Sequence, residues 1–122
     1  MTGVVTAERE VVLRLTIRGP QGQEHEAKAI IDTGFNGFLA LTAPLIAALG
    51  LSYHSHTIVL LGDGSQTALR EYEGQVVWDG HERDILVLET DGGPLIGMAL
   101  LYDYRVTLDV VDGGPVTIAV LP

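Results

Sequence analysis

Residues 29–41, AIIDTGFNGFLAL, carry a single carboxylate, Asp32, between an apolar segment and a run of glycines and aromatic residues. Burying a charged carboxylate is costly unless it has a hydrogen-bonding or ionic partner. An Asp before Thr and Gly is also common in turns, where the carboxylate accepts a bond from the backbone two residues later. Because apolar residues flank this turn on both sides, we expect Asp32 to be partly shielded from water. Two interpretations stay open: a turn-forming residue or a catalytic acid.

The chain before Asp32 predicts a β-hairpin. Apolar and polar side chains alternate over residues 11–18, as expected of a strand with one buried face. The sequence GPQGQ at residues 19–23 predicts a turn, and the alternation resumes over residues 27–31. The second strand of this hairpin is therefore predicted to end at Asp32.

The rest of the chain predicts mainly strands. One short helix is expected, with Thr42 as its N-cap and Gly50 at its end. Turns rich in Gly and Asp predict three further hairpins, which turn at residues 62–65, 79–80 and 112–114. Short strands at this spacing predict an all-β fold, a closed or partly open barrel of short antiparallel strands with one or two short helices.

Length and composition limit the classes of function. The 122 residues predict one domain spanning residues 1–122, and 47% hydrophobic against 19% charged residues is a globular composition. Sixteen acidic and seven basic residues give a net charge of −9, which repels phosphate backbones and anionic lipid surfaces. We therefore expect no nucleic-acid partner and no membrane partner.

Cysteine content and the N-terminus indicate the compartment. The chain has no cysteine, which excludes disulfides and thiolate metal sites and suits a reducing environment. It lacks both a basic start followed by an apolar run and any stretch of roughly 20 apolar residues. The expected location is cytoplasmic.

The histidines are weak candidates for a metal site. His54 and His56 have the spacing that puts two side chains on one face of a strand, and two such side chains could in principle bind zinc. No third ligand follows at a suitable interval, so a solvated strand face is the better interpretation. No glycine-rich segment continues into the Lys-Ser or Lys-Thr of a phosphate loop. We expect neither a metal nor an organic cofactor.

Three segments together resemble the retropepsin-like aspartic proteases, the single-domain group to which the retroviral proteases belong, and in particular the small prokaryotic members. The first is the apolar strand that runs into Asp32-Thr33-Gly34. The second is the mid-chain hairpin IVLLGDGSQTAL at residues 58–69, where the family has its flap. The third is PLIGMALLYDYRVTLD at residues 94–109, in which Leu95-Ile96-Gly97 looks like the family's apolar pair before a glycine. The resemblance covers roughly residues 11–110.

The resemblance implies an aspartic endopeptidase that works as a homodimer. In such enzymes two carboxylates share one proton, so that one activates a water molecule while the other polarises the peptide carbonyl. This chain has one Asp-Thr-Gly, so the second acid must come from a twofold-related copy. Asp32 would then supply the catalytic carboxylate, Thr33 would bond across the dimer axis, and Gly34 would let the backbone approach the substrate.

The resemblance also implies which residues bind an extended peptide or protein substrate. Gly97 would pack beneath the active-site loop, where a Cβ atom has no room, and the mid-chain hairpin tip would close over the substrate. The expected substrate-binding residues are Asn36, Gly62, Asp63, Gly64, Ser65, Ile96 and Gly97.

Two residues depart from the family's pattern. After Asp-Thr-Gly the family most often has Ala or Ser and then a hydroxyl residue, whereas this chain has Phe35 and Asn36. Phe35 could narrow the cleft, which motivates a second hypothesis: a non-catalytic peptide-binding or assembly module on the same dimeric fold. A third is an unrelated β-barrel that binds a small ligand in its mouth.

Overall fold

The computed structural model describes residues 1–60 and 63–122. Within these residues the chain forms short strands and two short helices. In chain order they are β1 (Thr2–Val5), β2 (Val11–Arg18), β3 (Glu24–Ile31), β4 (Leu39–Leu41), α1 (Ala43–Leu49), β5 (Ser52–Leu60), β6 (Gln66–Trp78), β7 (His81–Glu89), β8 (Leu95–Ile96), α2 (Met98–Leu101), β9 (Tyr104–Leu108) and β10 (Pro115–Val120).

Six of the described strands close into a barrel. The sheet order is β5-β6-β7-β4-β8-β3-β2-β1-β10-β9, and β6 also pairs with β2, so that the ring runs β2-β3-β8-β4-β7-β6 and back to β2. The strands outside this ring are β5, which extends the hairpin with β6, and β1, β10 and β9, which extend the sheet beyond β2. The predicted all-β barrel with short helices is confirmed.

Two strand pairings are parallel, which the prediction of antiparallel strands did not include. β3 pairs parallel to β8 and β4 pairs parallel to β7, while β8 lies between β3 and β4. Parallel neighbours need long connections, and here more than 60 residues separate Ile31 from Leu95. This arrangement brings the end of β3 next to the segment that follows β8.

Most of the predicted local elements are confirmed. The first hairpin is formed by β2 and β3, and α1 ends at Gly50, whose left-handed φ of 62° lets its amide bond to Ala47 O at 3.0 Å. Asp79 and Gly80 both have positive φ, as a tight two-residue hairpin turn requires. The strands β1, β4 and β8 were not predicted, because two to four residues are too few to show an alternating pattern.

The core fills the barrel and the layer beneath α1 and α2. Its large members include Trp78, Leu13, Leu39, Ile96 and Leu100, all with at most 1% of their surface exposed. Trp78 packs edge-to-face on Tyr104. Among the described residues, no helix has the length and apolar character needed to cross a membrane.

Candidate active site

Asp32 is the first residue after β3 and lies where that strand meets β8. Its amide donates to Ile96 O at 2.9 Å, which continues the parallel pairing of β3 with β8 by one more bond. The residue is half-buried. The predicted position of Asp32, at the end of the second strand of the hairpin, is confirmed.

The loop after Asp32 begins with a turn closed by the carboxylate itself. Asp32 Oδ1 accepts the amide of Gly34 at 2.9 Å, and Asp32 O accepts the amide of Phe35 at 3.1 Å. The first bond is the local Asx interaction expected of Asp before Thr-Gly. It leaves Oδ2 free of hydrogen bonds from the described residues, so this oxygen can interact with another molecule.

Three further hydrogen bonds fasten this loop to the start of α2. The amides of Gly97, Met98 and Ala99 donate in turn to Phe38 O at 3.0 Å, Phe35 O at 2.8 Å and Gly37 O at 3.1 Å. The free amides of the first turn of a helix are thereby used to hold the loop. Two distant parts of the chain therefore determine the position of Asp32 together.

Gly97 has no room for a side chain. A Cβ atom at this position would lie 2.0 Å from Gly37 O and 2.7 Å from Phe35 Cδ2, far inside van der Waals contact. Its φ of −100° is accessible to any residue, so the restriction is one of space. The predicted packing of Gly97 beneath the loop is confirmed, while its part in substrate binding stays a prediction.

The other predicted residues of the loop differ in exposure. Thr33, Gly34 and Asn36 are exposed, whereas the side chain of Ile96 is completely buried in the core. A cleft of about 440 Å³ adjoins Thr33, and its apolar wall includes Ile31, Met98, Tyr102 and Leu108.

The predicted flap is the hairpin of β5 and β6. At its turn, Asp63 Oδ1 accepts the Ser65 hydroxyl at 2.5 Å and the Ser65 amide at 2.9 Å, and Gly64 has a φ of 85°. These bonds, first the hydroxyl and then the amide, lower the pKa of Asp63 below its ordinary value of 3.8. Gly62 lies outside the described residues, and closure of this hairpin over a substrate stays a prediction.

The two histidines of β5 contact different partners. A register shift between Tyr53 and Ser55 marks an irregularity at His54, and its ring nitrogen lies 3.3 Å from a Glu73 oxygen. The His56 ring instead bonds to the Tyr53 hydroxyl. The described residues contain no group of three or more His, Asp or Glu side chains placed to hold a metal ion.

A larger cleft lies away from Asp32. It measures about 600 Å³, and its walls include Arg18, Glu73, Gln75 and Asp84. Among the described residues that line it, none belongs to the predicted site. The smaller cleft is the one that reaches a predicted site residue, Thr33.

Sequence reasoning missed how the loop is held. The part played by Met98 and Ala99 is a backbone interaction that no side-chain pattern could have indicated. The ring of Phe35 packs against both Gly37 and Gly97, whereas the sequence suggested that it narrows the cleft. The signal available in the sequence for this packing was an aromatic residue, Phe35, followed two positions later by a glycine, Gly37.

Comparison with known proteins bears on the fold. No protein-family model matches the chain, and no curated protein matches it at a significant level. The chain is similar to the crystal structure of a retropepsin-like aspartic protease from Rickettsia conorii, with a TM-score of 0.57 and 18% sequence identity. The match covers 98% of this chain and 90% of the other. At this level of identity the similarity concerns the fold, and the chain therefore has the retropepsin-like fold.

Proposed function

We propose that this protein is an aspartic endopeptidase whose active form is a homodimer. The observation that carries the proposal is the position of Asp32: a half-buried carboxylate on a loop bonded to both β8 and the start of α2. Such anchoring is what a catalytic group needs to stay in a productive geometry. Among the described residues, no basic side chain forms an ion pair with Asp32 that would occupy its charge.

The chemistry requires two copies of Asp32. Two carboxylates a few ångströms apart cannot both ionise cheaply, so the pair holds one proton. The ionised member takes a proton from a water molecule, whose oxygen attacks the carbonyl carbon, while the protonated member donates to the carbonyl oxygen. Transfer of a proton to the amide nitrogen then releases the two peptide fragments. No metal or organic cofactor takes part in these steps.

The surface beside Thr33 supports docking of a second copy. Tyr102 is 75% exposed, Met98 44% and Leu108 39%, and all three line the apolar cleft next to Thr33. Large exposed apolar side chains grouped in this way mark an interaction surface. A twofold axis near Thr33 would bury these side chains and bring the two Asp32 carboxylates together.

The proposal is tested by exposing a diverse library of unstructured peptides to the purified protein across acid to neutral pH. We expect cleavage with an acidic optimum, inhibition by peptide analogues that carry a central hydroxyl, and loss of cleavage in Asp32→Asn. Asparagine keeps the acceptor oxygen for the Gly34 amide but cannot exchange the proton. Binding of peptides without any cleavage would favour the alternative, a non-catalytic module on the same dimeric fold. The unrelated-barrel hypothesis is inconsistent with the retropepsin-like fold.

The dimer is tested separately by sedimentation. We expect Tyr102→Asp to shift the protein to monomers and to remove activity, because a charge would face the apolar surface of the partner. Tyr53→Asp is the matched control, since Tyr53 is 52% exposed and lies on β5 before the predicted flap at residues 58–69, at the other end of the sheet order from β9. Because each chain carries a charge of −9, added salt should strengthen the dimer. A wild-type protein that cleaves peptides as a monomer would contradict this proposal.

A further inference from the structure

The ring of Phe35 fills the space between the two chain segments that meet beneath Asp32. A Cβ atom at Gly37 would lie 2.6 Å from Cζ and 2.7 Å from Cε1 of this ring, and one at Gly97 would lie 2.7 Å from its Cδ2. Carbon atoms pack at about 3.5–4.0 Å, so neither position tolerates a side chain while the ring is there. Different edges of one ring therefore contact the loop and the start of α2.

The backbone of Phe35 joins the same two segments. Its amide donates to Asp32 O at 3.1 Å, and its carbonyl accepts the amide of Met98 at 2.8 Å. A movement of the ring would be transmitted through these bonds to the residue that carries the carboxylate. Side chain and backbone of Phe35 thus hold Asp32 and Met98 at a set separation.

We propose that Phe35 is a positioning residue: its ring, between Gly37 and Gly97, holds the Asp32 loop against the start of α2. A misplacement of about 1 Å can reduce a rate by about a hundredfold, so such a support would affect catalysis without touching substrate. The catalytic part of this inference rests on the proposed function, whereas the packing part can be measured without any activity.

The two glycines provide a test because different atoms exclude a Cβ atom at each position. At Gly37 the next atom after the Phe35 ring is Leu88 Cδ1 at 3.7 Å, an ordinary contact, and the backbone φ is not left-handed. At Gly97 the nearest atom is the backbone oxygen of Gly37 at 2.0 Å. Alanine at position 37 is therefore excluded by Phe35 alone, whereas alanine at position 97 is excluded by backbone as well.

The first experiment is a double-mutant cycle on the midpoint of thermal unfolding. We expect Gly37→Ala to lower the midpoint by several degrees in the wild-type background, and to lower it much less or to raise it in Phe35→Ala. Gly97→Ala should lower the midpoint in both backgrounds, because the Gly37 oxygen remains. Equal costs of Gly37→Ala in the two backgrounds would overturn the packing part of the proposal. If Phe35→Ala does not fold, Phe35→Leu, which lacks the Cζ edge, takes its place in the cycle.

The second experiment measures hydrogen exchange of the loop amides. In Phe35→Ala we expect exchange at Gly34 and Met98 to accelerate by about tenfold. We expect no change at Gly50, whose amide bonds to Ala47 O at the end of α1, next to the β2–β3 turn and at the other end of β3 from Asp32. A core variant outside the loop and α2, Ile118→Val, controls for a general loss of stability and should leave the two loop amides unchanged. Unchanged exchange at Gly34 and Met98 in Phe35→Ala would overturn the positioning role.

The third experiment concerns catalysis with a peptide that the wild type cleaves. Phe35→Ala should lower kcat by about tenfold or more with KM changed by less than about threefold, while Ile118→Val keeps the wild-type kcat. If the wild type cleaves nothing but the cycle and the exchange change as expected, the proposed function fails and the packing part stands. If the wild type cleaves and Phe35→Ala keeps its kcat, the positioning role fails and the proposed function stands.

Discussion

Asp32 and Asp63 close turns that have the same local hydrogen bond and very different surroundings. In each, Oδ1 accepts a backbone amide two residues later, at 2.9 Å, from Gly34 in one turn and Ser65 in the other. Asp32 is half-buried, and its loop is bonded to residues 96–99. The Asp63 turn is exposed, and among the described residues its carboxylate bonds to Ser65 alone.

The difference shows what makes one of these acids a candidate for catalysis. The Asx bond is a local property of Asp followed by small or polar residues, and it forms at a free hairpin tip as readily as in the barrel. A carboxylate keeps a fixed position only when several elements contact its loop, so that no single bond rotation can move it away. Among the described residues, the Asp32 loop has such contacts and the Asp63 turn does not.

The largest expected contrast is in activity. Asp32→Asn should reduce peptide cleavage by about a thousandfold or more, because the shared proton is lost. Asp63→Asn makes the same chemical change in the other turn and should retain activity within about tenfold, since a residue of the predicted flap would act on closure and not on the proton. The measurement is kcat/KM on one cleaved peptide. Similar losses in the two variants would remove the distinction drawn between the turns.

The second contrast is in the free energy of unfolding when a glycine of each region, Gly97 or Gly64, is replaced by alanine. Gly97→Ala should lower the free energy of unfolding by about 3 kcal/mol, because the new methyl group meets Gly37 O. Gly64→Ala places none of the described residues within 4 Å of the new Cβ, and its left-handed φ of 85° costs about 1 kcal/mol. Urea titration of both variants measures the difference. A larger loss at Gly64 than at Gly97 would contradict the difference in packing between the two regions.

The smallest expected effect is on the pKa of Asp63 and concerns the Asp63 turn alone. The Ser65 hydroxyl is the main cause of the lowered pKa of Asp63, so Ser65→Ala should raise that pKa toward 3.8. Because the pKa is lowered in the folded state, the bonds to Ser65 stabilise the turn at neutral pH and are lost as the pH falls through the lowered value. Carboxyl chemical shifts followed by NMR between pH 2 and 6 report this titration. An unchanged Asp63 titration in Ser65→Ala would contradict the assigned cause.

The hairpins and α1 could be predicted because their signals are local. Alternation over residues 11–18, the Asp79-Gly80 turn and the left-handed Gly50 each lie within a few consecutive residues. The strands β4 and β8 could not be predicted, since each is at most three residues long and exists only through pairing with distant strands. The prediction of an antiparallel barrel likewise could not anticipate the two parallel pairings that these strands form.

By itself, the sequence determined the turn at Asp32 and the strand that leads to it, and its resemblance to the retropepsin-like proteases indicated that position 97 needs glycine. These are properties of neighbouring residues, or of a resemblance carried by short motifs. Only the tertiary structure decided that the amides of residues 97–99 hold the loop and that Phe35 packs between two glycines 60 residues apart. The physical reason is that backbone hydrogen bonds and ring packing between distant segments depend on relative position in space, which side-chain identity along the chain does not encode locally.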